Sequence, residues 1–365
     1  MQMPPPAHGV SVMNKLIKES QLINSSMECD YINLTTAKDI RDLQKNKFIK
    51  YISTLKIMTR AVLRMLFKRY DYVYITVFPY GLAFIKDSII VLLTRILRLK
   101  PILHLHTYGF KKNSERSQWH NKYYRLIFRN VEVICLSDLL IEDIERLFTG
   151  NVYILPNGIP RVNKVNTYDN DHIPVTLLFL SNLIRGKGIL ILLDALKIIK
   201  ENGHKFCLRV VGSENDITYE QLKKVTIANG LEKEVELLGP KFEEEKYMEF
   251  KKAGIFVFPT DYDTFGLVLL EAMQFGIPCI STNIGAIPDV LGDNRGLIIP
   301  DIHVDALVTG ITELLLNPEK RSEMSQKGFN YYGANFTKEK FEERLKNILT
   351  GRPDTINTRL AKKAV

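Results

Sequence analysis

Residues 255–283, IFVFPTDYDTFGLVLLEAMQFGIPCISTN, decide how the rest of the chain is read. The apolar run 255–258 reads as a short buried strand, a polar turn follows, a helix opens near Gly266, and 278–282 reads as a second strand. The turn sets Asp263 eight positions before Glu271, so one carboxylate sits at the mouth of the turn and the other lies about a turn and a half into the helix. Two acids therefore look toward one cleft. Between them, the amides of Phe265, Gly266 and Leu267 are among the donors that a helix start leaves unpaired, and Gly266 lets a ligand approach the backbone closely. Such a place suits a phosphate and a polyol together.

With 365 residues, 45% of them hydrophobic, the chain exceeds one comfortable core and reads as two domains. Cys29, Cys135, Cys207 and Cys279 are scattered, each in an apolar run, a pattern of buried thiols in a reducing compartment and not of a disulfide framework or a zinc site. The sequence shows no leader pattern and no apolar run of spanning length, so a cytoplasmic protein is expected. Residues 1–160 carry 23 Lys and Arg against 13 Asp and Glu, net +10, whereas 161–365 carry 27 against 28, net −1. No zinc pattern, recognition-helix signature or aromatic RNA-binding segment accompanies the basic half, so a nucleic-acid partner is not expected. An anionic membrane surface or a phosphate-bearing substrate accounts for it equally well.

Strand and helix alternate along the chain. Strands are expected at 29–34, 72–78, 102–107, 131–137 and 152–157, with a long helical region after the first, a helix over 85–97 and another over 138–148. Gly9 reads as a tight turn and Ser11 as the cap of a first helix. The alternation restarts at 175–182 and runs through 206–212, 235–239, 255–258 and 296–300, with helices between and helices to follow. The fold class is thus α/β, two doubly wound Rossmann-like domains facing across a cleft. The expected divisions are 1–162, 163–335, a C-terminal helix over 336–350 that can pack back on the first domain, and a flexible tail over 351–365. In the long helical region Lys56, Arg60, Arg64 and Lys68 recur every four residues as one basic stripe, while Ile52, Leu55, Thr59, Val62 and Leu66 line another face. The stripe reads either as the solvated face of a helix packed on the sheet or as a landing strip for anionic lipid.

Lys187, between Gly186 and Gly188, follows a strand and opens a helix, which is a phosphate-binding arrangement. No Walker pattern and no G-x-G-x-x-G after a strand is present, which removes the main support for kinase, P-loop NTPase and dehydrogenase readings. Asp261-Tyr262-Asp263 has the form of a divalent-cation triplet, but no further acids cluster near it in sequence, and no metal is expected. His104 and His106 alternate on one strand and point the same way at the end of a parallel sheet, where ligands bind; His106 is the candidate, and a satisfied core histidine is the plainer reading.

The run from Asp263 to Met273, followed by Gly276-Ile277-Pro278 and Gly285 to Asp289, resembles the E-x7-E region of the retaining glycosyltransferases of family 4, which have the GT-B fold. PPPAHGVS at the start, HLHTYGF, residues 134–137, LPNGI, the Lys187-Gly188 loop and VVGSEN stand where that family places its landmarks, so the likeness covers nearly the whole chain. The resemblance implies a nucleotide-sugar-dependent hexosyltransferase with the donor on the C-terminal domain and the acceptor on the N-terminal one. By position Glu271 would hold the donor ribose, Lys187 the diphosphate, and Asp263 with the amides around Phe265 to Leu267 the hexose and phosphate. Gly9 would let the N-terminal loop approach the phosphates and His106 would contact the sugar. The configuration would be retained without a metal or other cofactor, by same-face attack in which the departing diphosphate helps deprotonate the acceptor. The implied work is cell-surface polysaccharide or lipid-linked glycan synthesis, in the cytoplasm or peripheral on the inner face of the membrane.

The sequence departs from the family pattern at three places. The first acid is Asp263 where the family has Glu; Asn182 stands where it often has Arg, leaving Arg185 as the substitute donor contact; and only Met1 to Met3 remain of a hydrophobic strand expected before the proline loop. The natural protein is accordingly expected to begin upstream, or this chain to be truncated. A non-hydrolysing nucleotide-sugar epimerase and an inactive sugar-nucleotide or lipid-binding scaffold are the alternative readings.

Overall fold

The computed structural model describes residues 1–5, 8–35, 47–162, 174–352 and 356–357. The chain divides into two units, one made of Met1–Gly158 with Lys338–Val365 and the other of Ile159–Thr337.

In the first unit, α1 (Gly9–Glu19) is capped by His8, whose Nδ1 accepts from the Ser11 amide at 3.3 Å while Ser11 Oγ accepts from the His8 amide at 2.9 Å. This reciprocal capping box makes Gly9 the first helical residue and not a turn, and gives the cap to His8 instead of Ser11. After α2 (Gln21–Ser26), the run 29–34 that reads as a strand is not part of a sheet. Its backbone pairs with the chain start: the Met1 amine donates to Ile32 O at 3.0 Å and the Leu34 amide to Met1 O at 2.9 Å.

Helix α3 (Lys47–Phe67) carries the basic stripe and the second face that the sequence pattern sets apart from it. Among its described side chains Ala61 and Met65 are buried, whereas Ile52, Leu55 and Leu66 of that second face are exposed. The helix is apolar on two faces and its neighbours cover one. A cavity of about 540 Å³, lined by Ile23, Ile32, Met65 and Val73 among others, lies beside its C-terminal half. On the basic stripe, Lys68 pairs with Glu28 at 2.7 Å and Asp30 at 3.1 Å, and Arg64 approaches Asp30 at 4.0 Å.

The sheet follows with β1 (Tyr72–Val77), α4 (Gly81–Ile96), β2 (Lys100–Leu105), α5 (Phe110–Arg116), α6 (Gln118–Phe128), β3 (Glu132–Cys135) and β4 (Val152–Ile154). These strands are parallel and lie in chain order, around a core that includes Leu103, Phe110, Ile127 and Val133. The sequence pattern assigns no helices to 110–128, and the helix it places over 138–148 is a 3-10 turn over Asp138–Asp143. That turn aims Asp143 at the start of α5, where its carboxylate accepts from the amides of Gly109, Phe110 and Lys111 at 2.8, 2.9 and 3.0 Å.

The second unit runs β5 (Val175–Leu180), α7 (Ile189–Glu201), β6 (Phe206–Val211), α8 (Tyr219–Ala228), β7 (Val235–Leu237), α9 (Glu243–Lys252) and β8 (Ile255–Phe258). Then come α10 (Leu267–Gln274), β9 (Cys279–Thr282), α11 (Ile287–Leu291), β10 (Leu297–Ile299), α12 (Val304–Leu316) and α13 (Pro318–Asn335). All strands are parallel, in the order β10-β9-β8-β5-β6-β7. Leu177, Phe179, Leu192, Leu196, Ile255 and Val257 fill the core. The chain steps outward from β5 through β6 and β7, then returns to place β8 on the other side of β5. The strand order reverses between β5 and β8, which is where an open parallel sheet opens a crevice for ligands.

Helix α14 (Lys338–Leu349) belongs to the first unit and packs on α2. Within the tail that the sequence treats as flexible, β11 (Ile356–Asn357) pairs antiparallel with β4; residues 353–355 and 358–365 lie outside the described residues.

Asp143→Ala removes all three hydrogen bonds that the carboxylate accepts at the start of α5. It should lower stability by about 2–3 kcal/mol, read as a drop in the urea midpoint of the full chain. An unchanged midpoint would mean that the α5 start is held by its packing alone.

Candidate functional site

The loops after β5 and β8 are bound to each other by backbone. Thr260 Oγ1 and the Asp261 amide both donate to Gly186 O, at 3.0 and 2.9 Å. Gly188 has φ +82°, and a Cβ there would stand 2.0 Å from Pro259 O, so a glycine is required on both counts. Lys187, between them, is carried over the second loop. Its ammonium donates to Tyr262 O at 2.8 Å and to Asp263 Oδ2 at 2.7 Å, and lies 5.3 Å from the centre of the Phe258 ring.

Asp263 completes the turn that starts α10. Its Oδ1 accepts from the Phe265 amide at 3.1 Å and the Gly266 amide at 2.7 Å, and Gly266 enters the helix at φ +76°. The sequence pattern offers the Phe265, Gly266 and Leu267 amides together to an external anion. The structure corrects this: the first two are taken by Asp263, and the first helical amides, Leu267 and Val268, are the donors that have no intrahelical partner. The loop after β9 supports the turn from below, with the Ala286 amide on Thr264 O at 2.8 Å and no room for a Cβ on Gly285, which would stand 2.5 Å from Asp263 O. Farther along α10, Glu271 Oε1 accepts from Lys246 of α9 at 2.7 Å. Asn182 and Arg185 are exposed on the β5 loop, where the Arg185 amide donates to Asp216 at 2.9 Å.

Gly9 and His106 belong to the first unit. His106 follows β2 and is buried, its ring 3.9 Å from that of His104. Tyr74 hydroxyl shares a hydrogen bond with His104 Nδ1, and neither His104 Nε2 nor His106 Nε2 has a partner among the described residues. Burial, with the nearby His8 adding to it, pushes the His106 pKa down to about 3, and burial with His106 beside it lowers that of His104 well below the usual range. Both rings are therefore neutral at physiological pH. All four cysteines are free, and burial pushes the Cys135 and Cys279 thiols up, away from nucleophilic use.

Residues 164–331, within the second unit, match the family model described as glycosyl transferases group 1. The second unit is a group 1 glycosyl transferase domain. An uncharacterised glycosyltransferase of Methanocaldococcus jannaschii is 27% identical over 249 residues, 67% of each chain. The amylovoran biosynthesis glycosyltransferase of Erwinia amylovora is 30% identical over 163 residues, 42% of this chain and 39% of that protein. Sucrose-phosphate synthase of Thermosynechococcus elongatus aligns with a TM-score of 0.71 over 94% of both chains at 17% identity, a likeness of fold. The fold is that of the two-domain α/β GT-B class.

The residues of the second unit singled out from sequence fall into a cluster and a rim. Lys187, Asp263, Phe265 and Gly266 meet directly, Glu271 lies farther along α10, and Asn182 and Arg185 are on the surface. Lys246 and Thr260 escape a sequence reading: Lys246 is one of many lysines on a polar helix, and only its distance to Glu271 marks it out. Among the described residues no three His, Cys, Asp or Glu side chains come together as a metal-ion site.

The depressed folded-state pKa of His106 gives a pH dependence of known sign. Its stability contribution is complete above the ordinary value of 6.5 and is lost as pH falls toward about 3. Urea unfolding should therefore show a loss of about 2 kcal/mol from His106 between pH 7.5 and 5, and His106→Gln should remove that share. A variant with the same pH slope as the parent would mean that the imidazole is hydrated.

Proposed function

We propose that this enzyme moves a hexose from a nucleotide diphosphate sugar to a hydroxyl of a glycan or lipid-linked acceptor, with retention of configuration and without a bound metal. The observation that supports this most is the Lys187–Asp263 pair at the start of α10, at the point where the strand order reverses. A lysine ammonium has three donors, and two of them are used on Tyr262 O and Asp263. The third is the one we give to the diphosphate, together with the Leu267 and Val268 amides. A carboxylate has about four acceptor positions, and Asp263 uses three on Phe265, Gly266 and Lys187. The remaining one is directed in this proposal to a hexose hydroxyl. Glu271, fixed by Lys246 through Oε1, would receive the ribose hydroxyls on Oε2.

In the transfer, the bond from the anomeric carbon to the diphosphate breaks and its electron pair leaves with the phosphate. The acceptor oxygen bonds to the same face of that carbon, and its proton passes to the departing phosphate oxygen. Negative charge grows on the leaving group, and Lys187 with the helix amides is the preorganised set that would stabilise it. His106, neutral and with an Nε2 that has no partner among the described residues, is assigned to a sugar hydroxyl, and Gly9, at the start of α1, to the close approach of that segment to the phosphates. Arg185 and Asn182 are assigned to the donor from their place on the β5 loop. The setting we assign is surface polysaccharide or lipid-linked glycan synthesis at the cytoplasmic face of the membrane; the relative named for amylovoran biosynthesis supports the biosynthetic part of that reading.

A panel of nucleotide sugars should contain one that raises the melting temperature of the full chain, since binding to the native state alone raises apparent stability. With that donor, Lys187→Ala should lower kcat/KM by about 10²–10³ with the unliganded melting temperature little changed. Wild-type turnover in that variant would overturn the site. Glu271→Gln should weaken donor binding, and chelation by EDTA should leave the rate unaltered; a rate abolished by EDTA and restored by Mg²⁺ would refute the metal-free mechanism.

A further inference from the structure

We propose that the outer faces of α3 and α4 form one membrane-docking surface, which inserts apolar side chains into the interface of an anionic bilayer. The proposal rests on the reading that the enzyme works at a membrane, and names the residues and the mode of attachment. On α3, Ile52, Leu55, Leu63, Leu66 and Phe67 are exposed, Phe67 to 86%. Apart from Phe67 they fall on one stripe at helical spacing, on the side opposite buried Ala61 and Met65. On α4, which packs beside α3, Leu82, Ile85, Ile89 and Ile96 repeat at steps of three, four and seven and are likewise exposed, Ile96 to 74%. Large apolar side chains scattered singly are ordinary on a protein surface, but two such stripes on adjacent helices are not.

Charge selects the occupant. From Tyr51 to Lys100 the chain has nine Lys and Arg against two acids, Asp71 and Asp87, and Asp87 is buried. Lys56 and Arg60 are exposed and stand one helical turn apart, on the flank of the α3 stripe. Arg64 and Lys68, the other half of the basic stripe, are engaged by Asp30 and Glu28. A basic edge beside an outward apolar face is the form of an interfacial helix, in which apolar burial anchors and cations select anionic lipid. No helix among the described residues is long and apolar enough to cross a membrane, so attachment by these helices would be to one leaflet.

Sedimentation of the full chain with vesicles of phosphatidylcholine containing about 30% phosphatidylglycerol tests this directly. The parent should bind these and bind pure phosphatidylcholine less. Leu66→Gln with Ile89→Gln should weaken binding at least about tenfold at low and high salt alike, because it removes hydrocarbon burial. Lys56→Gln with Arg60→Gln should weaken it by roughly 25-fold, at low salt only. Retention of donor-dependent thermal stabilisation in the variants shows that they are folded and tests the donor site separately. No binding of the parent, undiminished binding of the Leu66/Ile89 variant, or a parent dimer in analytical ultracentrifugation that the same variant dissociates would each overturn the proposal.

Discussion

The ion pair of Lys187 with Asp263 is the contact on which the candidate site depends. It joins two loops that leave neighbouring strands, and the residues it joins are 76 positions apart in the chain. Half-buried charges are costly to hold unless other groups share the work of solvation. Here Tyr262 O accepts from the ammonium while the Phe265 and Gly266 amides donate to the carboxylate, so each partner is solvated by protein. The backbone makes the pair geometrically possible. Gly188 allows the β5 loop to touch Pro259 O, Thr260 binds Gly186 O, and Gly285 allows the next loop to support Asp263 from below.

The same internal satisfaction gives the site its chemical character. A lysine and a helix start with no internal partner would bind any anion; with most of their capacity engaged, they present a small number of directed positions. Directed donors that need no reorganisation stabilise developing charge better than mobile ones. Lys246 does for Glu271 what the two amides do for Asp263, holding one oxygen and so orienting the other.

The first unit shows where pattern and packing part. The α3 stripe of Ile52, Leu55 and Leu66 has helical period, and period alone cannot say which of two apolar faces is covered. Helices α5 and α6 gave little signal, since α5 buries Asn113 and Ser114 beside Phe110 and the buried residues of α6 lie toward its end, at Tyr124, Ile127 and Phe128. The run 29–34 has the composition of a strand, but a strand exists only when a partner's backbone lies alongside, and the partner it finds is the segment from Met1 to Met3.

What the sequence determined by itself was local: the strand–turn–helix units, the glycines at positive φ, the lysine at a helix start, and the two acids on one turn and helix. Each follows from dihedral preference and side-chain chemistry within a few residues. Tertiary structure alone decided that Asp263 faces Lys187, that Lys246 orients Glu271, that burial keeps His106 neutral, and that the apolar stripe of α3 points outward. These are relations between segments distant in the chain, set by strand order and by which faces neighbouring elements cover, and no short-range preference encodes them.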